Sequence, residues 1–289
     1  MQTPSRTAHV NAGNTDIYCV SHAEPLVPNP LYDYAIGLGS YRPKRGAHVS
    51  ELDTFWHESR PVAFGAAGNY CIPIAARRRH SAAVIGIFSH RKIVLQNVYG
   101  APSGSKFWRD LEVSDGRAIS RAEAGPRDGY EFLVIQPVLC PDGMGKQYAE
   151  EHHEVDFHDY LSIAHQIGIL DTKDLSQLPL ESMFFPGGCE LGFYPTEWIV
   201  PALEKLALVG KEFIQRHGDR IATYDNFQVR AVGFLAERLG SYLLLRELQR
   251  RFPDRLPGQL IGNAYSLTQK GGTYTAAFVD HSDRDPRLR

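Results

Sequence analysis

The segment AAVIGIFSH, residues 82–90, constrains the fold of this chain more than any other stretch. It is apolar without interruption until it ends in polar residues, and it lacks the alternation that a half-exposed strand shows. A continuous apolar run of this length is typical of a strand that is buried on both faces of a parallel sheet. The apolar segments 16–22 and 130–138 are two further predicted strands. The first half of the chain therefore predicts an α/β sheet.

The second half of the chain has helical periodicity. Residues 145–168, 196–218 and 225–253 carry apolar side chains at helical spacing and are predicted to be helices. Residues 100–129 are rich in Gly, Ser and charged residues, which favours a surface loop. Residues 182–195 contain several glycines and prolines and are predicted to be a loop or a broken strand.

These segments predict one domain over residues 1–289. We expect a strand-rich half at 16–140 to form the sheet and a helical half at 141–253 to pack against it. The tail at 281–289 is polar.

Composition excludes several classes of protein. Hydrophobic residues make up 43% and charged residues 22% of the 289 residues, which permits a packed core. The net charge of −2 gives no global field that would attract nucleic acid. There is no run of about 18 apolar residues, so no transmembrane segment is predicted. The cysteines form no CxxC pair and are predicted to be reduced thiols of a cytoplasmic protein: Cys19, Cys71, Cys140 and Cys189.

Polar residues follow two of the predicted strands. Ser21 and His22 end the first strand, and Ser89 and His90 end the segment 82–90. Ligands of open α/β sheets bind outside the carboxyl ends of the strands, so these four side chains are predicted to meet a ligand. The alternative is that they are ordinary polar residues at strand ends.

The segment GKQYAEEHHEVDF, residues 145–157, offers a candidate acid–base pair. His152 and Asp156 are four residues apart and would share one face of a continuous helix. A carboxylate orients an imidazole and makes it more basic, as a general base requires. A metal site needs three or four ligands, whereas this face offers two. A surface ion pair explains the same spacing and remains an alternative.

The segment RAVGFLAER, residues 230–238, offers a second candidate pair. Arg230 and Glu237 are seven residues apart and return to one side of a helix. Gly233 lies between them and costs about 1 kcal/mol relative to Ala in a helix interior, which suggests the close approach of a ligand or another backbone. Arg230 can hold a phosphate, and Glu237 can bind a sugar hydroxyl or act as a base. The alternative is an Arg/Glu pair at the edge of the core.

Nucleotide-binding and metal motifs are weak in this sequence. There is no GxGxxG and no Walker lysine. The Asp-x-Asp at Asp283 and Asp285 lies in the polar tail, so no metal ligands are predicted and the cofactor is left unknown.

Five segments follow one another in the order YCIPIAARRR, VIGIFSHRK, GKQYAEEHHEVDF, SMFFPGGCELGFYPTEW and RAVGFLAERL. This order resembles a family of bacterial glycosyltransferases encoded with capsule and O-antigen genes, some of them galactofuranosyltransferases. The resemblance covers roughly residues 16–250. It implies a GT-A-like (Rossmann-like) mixed α/β sheet with a helical C-terminal half, of which the strand-rich half binds nucleotide.

The resemblance also implies partners and a location. The donor would be a nucleotide sugar, UDP-linked, and the acceptor a glycan or a lipid-linked glycan of a cell-surface polysaccharide. Such an enzyme would act in the cytoplasm, and peripheral association with the inner face of the membrane is left open. Whether a divalent metal takes part is also left open.

The residues that match the family motifs are Tyr70, Cys71, Gly86, Arg91, Gln147, Tyr148, His152, Asp156, Trp198, Arg230, Glu237 and Arg238. Of the matching residues, Asp156, Glu237 and His152 are candidate bases. The candidate substrate-binding residues are Ser21, His22, Ser89, His90, Arg91, Lys92, Tyr148, Arg230 and Arg238, with the cations Arg91, Lys92 and Arg230 facing the diphosphate.

The sequence departs from the family pattern at two places. Ile72-Pro73-Ile74 replaces Glu-Leu-Thr, and Ser89-His90-Arg91-Lys92 replaces His-Tyr-Arg-Arg. The change at 89–92 predicts either an altered choice of substrate or a loss of activity. The second outcome is the alternative in which the chain is a non-catalytic nucleotide- or sugar-binding or assembly protein. A metal-dependent hydrolase that uses His152, His153 and Asp156 is a third reading.

Overall fold

The computed structural model describes residues 14–80, 82–103 and 108–270. Its strands are β1 Thr15–Ser21, β2 Tyr34–Gly37, β3 Gly46–His48, β4 Val84–Ser89, β5 Lys92–Leu95, β6 Ala101–Pro102, β7 Arg109–Glu112, β8 Leu133–Ile135, β9 Val138–Leu139, β10 Met183–Phe184, β11 Gly192–Pro195 and β12 Ile261–Thr268. Its helices are α1 Val49–Leu52, α2 Thr54–Glu58, α3 Arg60–Ala63, α4 Ala66–Asn69, α5 Ile72–Arg79, α6 Val113–Gly116, α7 Met144–Glu151, α8 Glu154–Gln166, α9 Thr172–Gln177, α10 Thr196–Ala222 and α11 Ala231–Arg251.

The main sheet is mixed, as predicted. Its order is β3-β2-β1-β4-β11-β8-β12-β7-β6, with β5 beside β4 and β12. The neighbours β3, β2, β1 and β4 run parallel to one another, whereas β11 is antiparallel to both β4 and β8. In the parallel part, the strand order reverses between β1 and β4, and such a reversal opens a crevice at the carboxyl ends of the two strands.

Strand β4 has the burial that its sequence predicts. All but the last of its six residues are buried. Ile85 and Ile87 pack in the core beneath the long helices, while Phe88 packs in a second core on the other face of the sheet. The prediction of a strand that is covered on both faces is therefore confirmed. Of the two strands that flank β4, however, β1 is parallel to it and β11 is antiparallel.

The second half of the chain supplies strands as well as helices, which corrects the predicted division at residue 140. Strand β11, in the segment predicted as loop or broken strand, lies in the middle of the sheet between β4 and β8. Strand β12 follows the last helix and pairs with β5, β7 and β8. The predicted surface loop at 100–129 also contains β7 and α6.

The predicted helix over 145–168 is two helices. α7 ends at Glu151, His152 has extended backbone angles of φ −142° and ψ 177°, and α8 begins at Glu154. The side-chain amide of Gln228 donates to the Glu151 carbonyl at 2.9 Å and so satisfies a backbone acceptor at the end of α7. His152 and Asp156 therefore do not share a helix face, and the argument from their spacing is wrong.

The helices α8, α10 and α11 pack together over the larger core. The helix α10 runs through Pro201 without a break. Within the part of the chain that the structure describes, no helix is both long enough and apolar enough to cross a membrane. The predicted polar tail lies outside the described residues.

Candidate functional site

A cleft of about 1140 Å³ opens at the point where the strand order reverses. It is lined by the ends of β1 and β4, by α3 and α4, by the segment 184–191, and by the start of α11. Small-molecule sites usually measure roughly 300–1,000 Å³, so this cleft has room for an elongated ligand.

The strand-end residues meet in this cleft. Val20 of β1 is paired in register with Ser89 of β4, which places Ser21, His22 and His90 side by side. Ser21 Oγ lies 3.0 Å from His90 Nδ1 and donates to the Ala23 carbonyl, so Nδ1 of His90 carries the hydrogen. Burial lowers the pKa of both His22 and His90, and Arg91 adds to the effect. All four predicted strand-end residues line the cleft.

Positive side chains surround the same space: Arg60, Arg91, Lys92, Arg230 and Arg238. Arg60, on α3, is a residue that sequence reasoning missed. Its Nε is buried and has no hydrogen-bond partner among the described residues. Lys92 Nζ lies 4.3 Å from the centre of the Trp108 ring, and burial lowers its pKa. This density of cations suits an anionic ligand such as a phosphate.

The start of α11 forms one wall of the cleft. Arg230 lies over the rings of Phe64 and Phe234, at 5.5 and 5.3 Å. A Cβ added to Gly233 would meet no atom within 4 Å, so no other backbone approaches this glycine. Because Gly233 lines the cleft, its missing side chain widens the space available to a ligand.

Glu237 also lines the cleft, but both of its oxygens are engaged. Oε1 accepts a hydrogen bond from the Gly187 backbone at 2.6 Å, and Oε2 lies 3.2 Å from Nη1 of Arg238. Arg238 is only 5% exposed, and it also donates to Gln147 at 2.9 Å. The pair therefore ties α11 to the glycine turn at 187–188 and to α7.

His152 lines the cleft as a neutral imidazole. Its ring is stacked 4.1 Å from Phe234 and lies 3.1 Å, through Nδ1, from Oε1 of Gln228. Since the amide nitrogen of Gln228 is used by the Glu151 carbonyl, Oε1 faces the imidazole and Nδ1 donates to it. Burial, followed by the charge of Arg238, lowers the pKa of His152 to about 4.

Asp156 and Tyr148 do not line the cleft. Asp156 is fully buried, pairs with Arg220 at 2.6 Å and accepts from the Tyr224 hydroxyl at 3.2 Å. It therefore joins α8 to α10, and its geometry gives no support to a role as a base. Tyr148 is buried beneath Arg238 and His152 and supports these two side chains.

Metal-ligating residues do not gather in the described part of the chain. No group of three or more His, Cys, Asp or Glu side chains there could hold a metal ion. His153 packs against Tyr224, while His152 faces Phe234. The set His152, His153 and Asp156 of the hydrolase reading is therefore not assembled.

Glu190 is the most perturbed acid in the cleft, and sequence reasoning missed it. It lies in the turn between β10 and β11 and lines the cleft. Burial, followed by the charge of Glu237, raises the pKa of Glu190 to about 8. Its Oε1 is buried and accepts no hydrogen bond from the described residues. An acid within the apolar, glycine-rich GGCELGF was the available signal.

Comparison with known proteins supports the fold. No family model and no curated protein matches the chain. The fold is similar to the apo structure of the WbbM bifunctional glycosyltransferase, with a TM-score of 0.66 and 13% sequence identity. The match covers 88% of this chain, which spans 45% of the WbbM chain. At this identity the likeness shows a shared mixed α/β fold.

Proposed function

We propose that this chain is a glycosyltransferase that moves a sugar from a nucleotide-sugar donor to a glycan acceptor. The observation that carries the proposal is the cation-lined cleft at the reversal of the strand order, on a fold shared with a glycosyltransferase. The cleft combines the two kinds of group that sugar transfer requires, namely positive charge for a diphosphate and carboxyl groups for a hydroxyl.

The cations would bind the diphosphate of the donor. Arg60 and Arg91 lie beside His22 at the strand ends, close enough to lower its pKa. Lys92 interacts with both carboxyl groups, Glu190 and Glu237, and Arg230 interacts with Glu190. When the bond between sugar and diphosphate breaks, negative charge develops on the leaving oxygen, and fixed cations in an enclosed site stabilise that charge.

The acids of the cleft do not form a metal site. Glu190 and Glu237 face cations, and no third acid, histidine or cysteine joins them in the described part of the chain. We therefore assign neutralisation of the diphosphate to arginine and lysine and derive no step through a metal ion.

The finer parts of the proposal come from the sequence resemblance. We propose a UDP-linked donor, a GT-A-like architecture, and a glycan or lipid-linked glycan acceptor in cell-surface polysaccharide synthesis at the inner face of the membrane. The parallel strands in the order β3-β2-β1-β4 support the architecture, since the first four strands of a dinucleotide-binding sheet have the same order.

A donor screen tests the proposal. The purified chain is incubated with a panel of UDP-, GDP- and dTDP-sugars, and the released nucleotide is measured by mass spectrometry with water as the acceptor. We expect slow release of one nucleotide, UDP. Binding of nucleotide without release from any donor would instead favour a non-catalytic binding protein that kept the fold.

A further inference from the structure

Glu190 is presented to the cleft by a turn that α11 clamps. Gly187 and Gly188 have positive φ angles of 82° and 50°, and the Glu190 amide donates back to the Gly187 carbonyl at 2.6 Å. A Cβ on Gly188 would lie 2.6 Å from the Glu237 carbonyl, so the turn packs tightly against α11. Side chains on such a clamped turn keep one position, as a reacting group requires.

The carboxyl group of Glu190 is only partly satisfied. Asn69, which is 5% exposed, forms a hydrogen bond with it, but Oε1 receives none from the described residues. A buried acceptor without a partner is unfavourable, because it has lost its hydrogen bonds to water. An incoming hydroxyl group would supply the missing donor.

The other carboxyl groups of the cleft, and His152, are less suited to the task. Glu237 uses both oxygens to hold Gly187 and Arg238. His152 has a pKa of about 4, so its imidazole accepts a proton poorly. Asp142 and Glu150 are exposed at the rim, where water surrounds them.

On this basis we propose that Glu190 takes the proton of the acceptor hydroxyl during transfer. The inference rests on the proposed function. As the acceptor oxygen forms its bond to the anomeric carbon, its proton moves to the Glu190 carboxylate. The bond between the anomeric carbon and the diphosphate oxygen breaks, and the electron pair leaves with the nucleoside diphosphate. Lys92 and Arg230 both interact with Glu190, and both line the cleft that would hold this leaving group.

The surroundings of Glu190 set the pH at which it can act. The charged groups that face it are Glu237, Lys92 and Arg230. Its other titratable neighbours are Tyr70, Tyr160, Tyr194 and Cys189, whose raised pKa values keep them neutral. With a pKa of about 8, Glu190 gains its base form as the pH rises through 8. The value of kcat/KM should therefore rise with pH over this range.

The test compares Glu190→Gln with Glu212→Gln, a control on the outer face of α10 that lies outside the cleft. Donor hydrolysis is followed from pH 6 to 9.5, and UDP binding is measured by calorimetry. We expect Glu190→Gln to lower kcat by about 10²-fold or more and to abolish the rise of kcat/KM with pH. Its UDP affinity should stay within about threefold of the wild type. The Glu212→Gln variant should keep both the wild-type rate and the rise of kcat/KM with pH.

The outcomes separate this inference from the proposed function. Failure of the wild-type chain to bind any nucleotide or nucleotide sugar would overturn both. Wild-type turnover that Glu190→Gln leaves unchanged would overturn the role of Glu190 alone. Should Glu190→Gln fail to fold, the wild-type profile decides, because a kcat/KM that is flat or falling between pH 7 and 9 contradicts the inference. Binding without any turnover contradicts it as well.

Discussion

Glu237 Oε1 accepts a hydrogen bond from the backbone amide of Gly187 at 2.6 Å. This contact attaches the turn that contains Glu190 to helix α11. The two carboxyl groups of the cleft therefore have different roles. Glu237 holds the wall in place, while Glu190 keeps an oxygen without a partner. Their difference in environment is the pattern by which acid–base roles are separated in enzyme sites.

Removal of the Glu237 side chain should therefore destabilise the protein. Glu237→Ala leaves the Gly187 amide and one side of Arg238 without a partner, and we expect a loss of about 1–3 kcal/mol in the free energy of unfolding. Urea denaturation measures this loss. Glu212→Ala, which removes a surface pair with Arg216, should change stability by about 0.5 kcal/mol or less. Equal stability of the two variants would contradict the anchoring role.

Substitution at Asp156 should affect folding before it affects binding. Asp156→Asn weakens the pairing with Arg220, whose side chain is 32% exposed and keeps Asp159 as a second partner. We expect a loss of about 1–3 kcal/mol in the free energy of unfolding. We expect a lower melting temperature with UDP affinity retained in the folded protein, measured by calorimetry and calorimetric titration. Unchanged melting together with abolished turnover would restore Asp156 as a candidate base.

The stability of the protein should depend on the protonation of His152. Its pKa is about 4 in the fold and about 6.5 in the unfolded chain, so the unfolded state binds more protons between these values. Stability should fall as the pH falls from 6.5 to 4, by up to about 3 kcal/mol from this residue.

The check on this prediction is urea denaturation at pH 7, 5.5 and 4. His152→Gln should flatten the pH dependence, whereas His158→Gln, at an exposed site on α8, should leave it as steep as in the wild type. If the free energy of unfolding of the wild type did not fall between pH 7 and 4, the assignment of His152 as a buried neutral imidazole would be contradicted.

Two substitutions at Gly233 should affect stability and ligand binding differently. Gly233→Ala should raise the free energy of unfolding by about 1 kcal/mol, because the new Cβ meets no atom within 4 Å. Gly233→Leu should fill the cleft and weaken UDP binding by tenfold or more while the fold is kept. The matched control is Gly218→Leu, in α10 and outside the cleft, which should leave binding unchanged. Full UDP affinity in Gly233→Leu would place the ligand elsewhere.

The sequence predicts the parts of the site that depend on continuous local patterns. The runs 16–22 and 82–90 mark two buried strands, and in the structure their polar ends meet because β1 and β4 are parallel neighbours. Gly233 within a helical pattern suggests the close approach of a ligand or another backbone, and in the structure it lines the cleft with no other backbone beside it. Each of these inferences needs only the neighbouring residues in the chain.

The parts that the sequence does not predict depend on tertiary contacts. The break at His152 follows from its stacking on Phe234 and from Gln228, which caps α7 from more than seventy residues away. Glu190 lies in a turn, and Arg60 begins the four-residue helix α3. Neither segment is long enough to show periodicity, so their place in the cleft follows from topology alone. Strand β12 mixes polar and apolar residues, and yet its last five residues are buried.

The nucleotide-sugar site can be tested by calorimetric titration of the wild-type chain and of Arg60→Gln with UDP and UDP-sugars, with the surface variant Arg216→Gln as control. We predict that the wild type binds and that its binding weakens as salt is raised. Binding should be reduced at least tenfold in Arg60→Gln and kept in Arg216→Gln. Absence of binding to the wild type, or equal binding to all three proteins, would contradict a nucleotide-sugar site at the ends of β1 and β4.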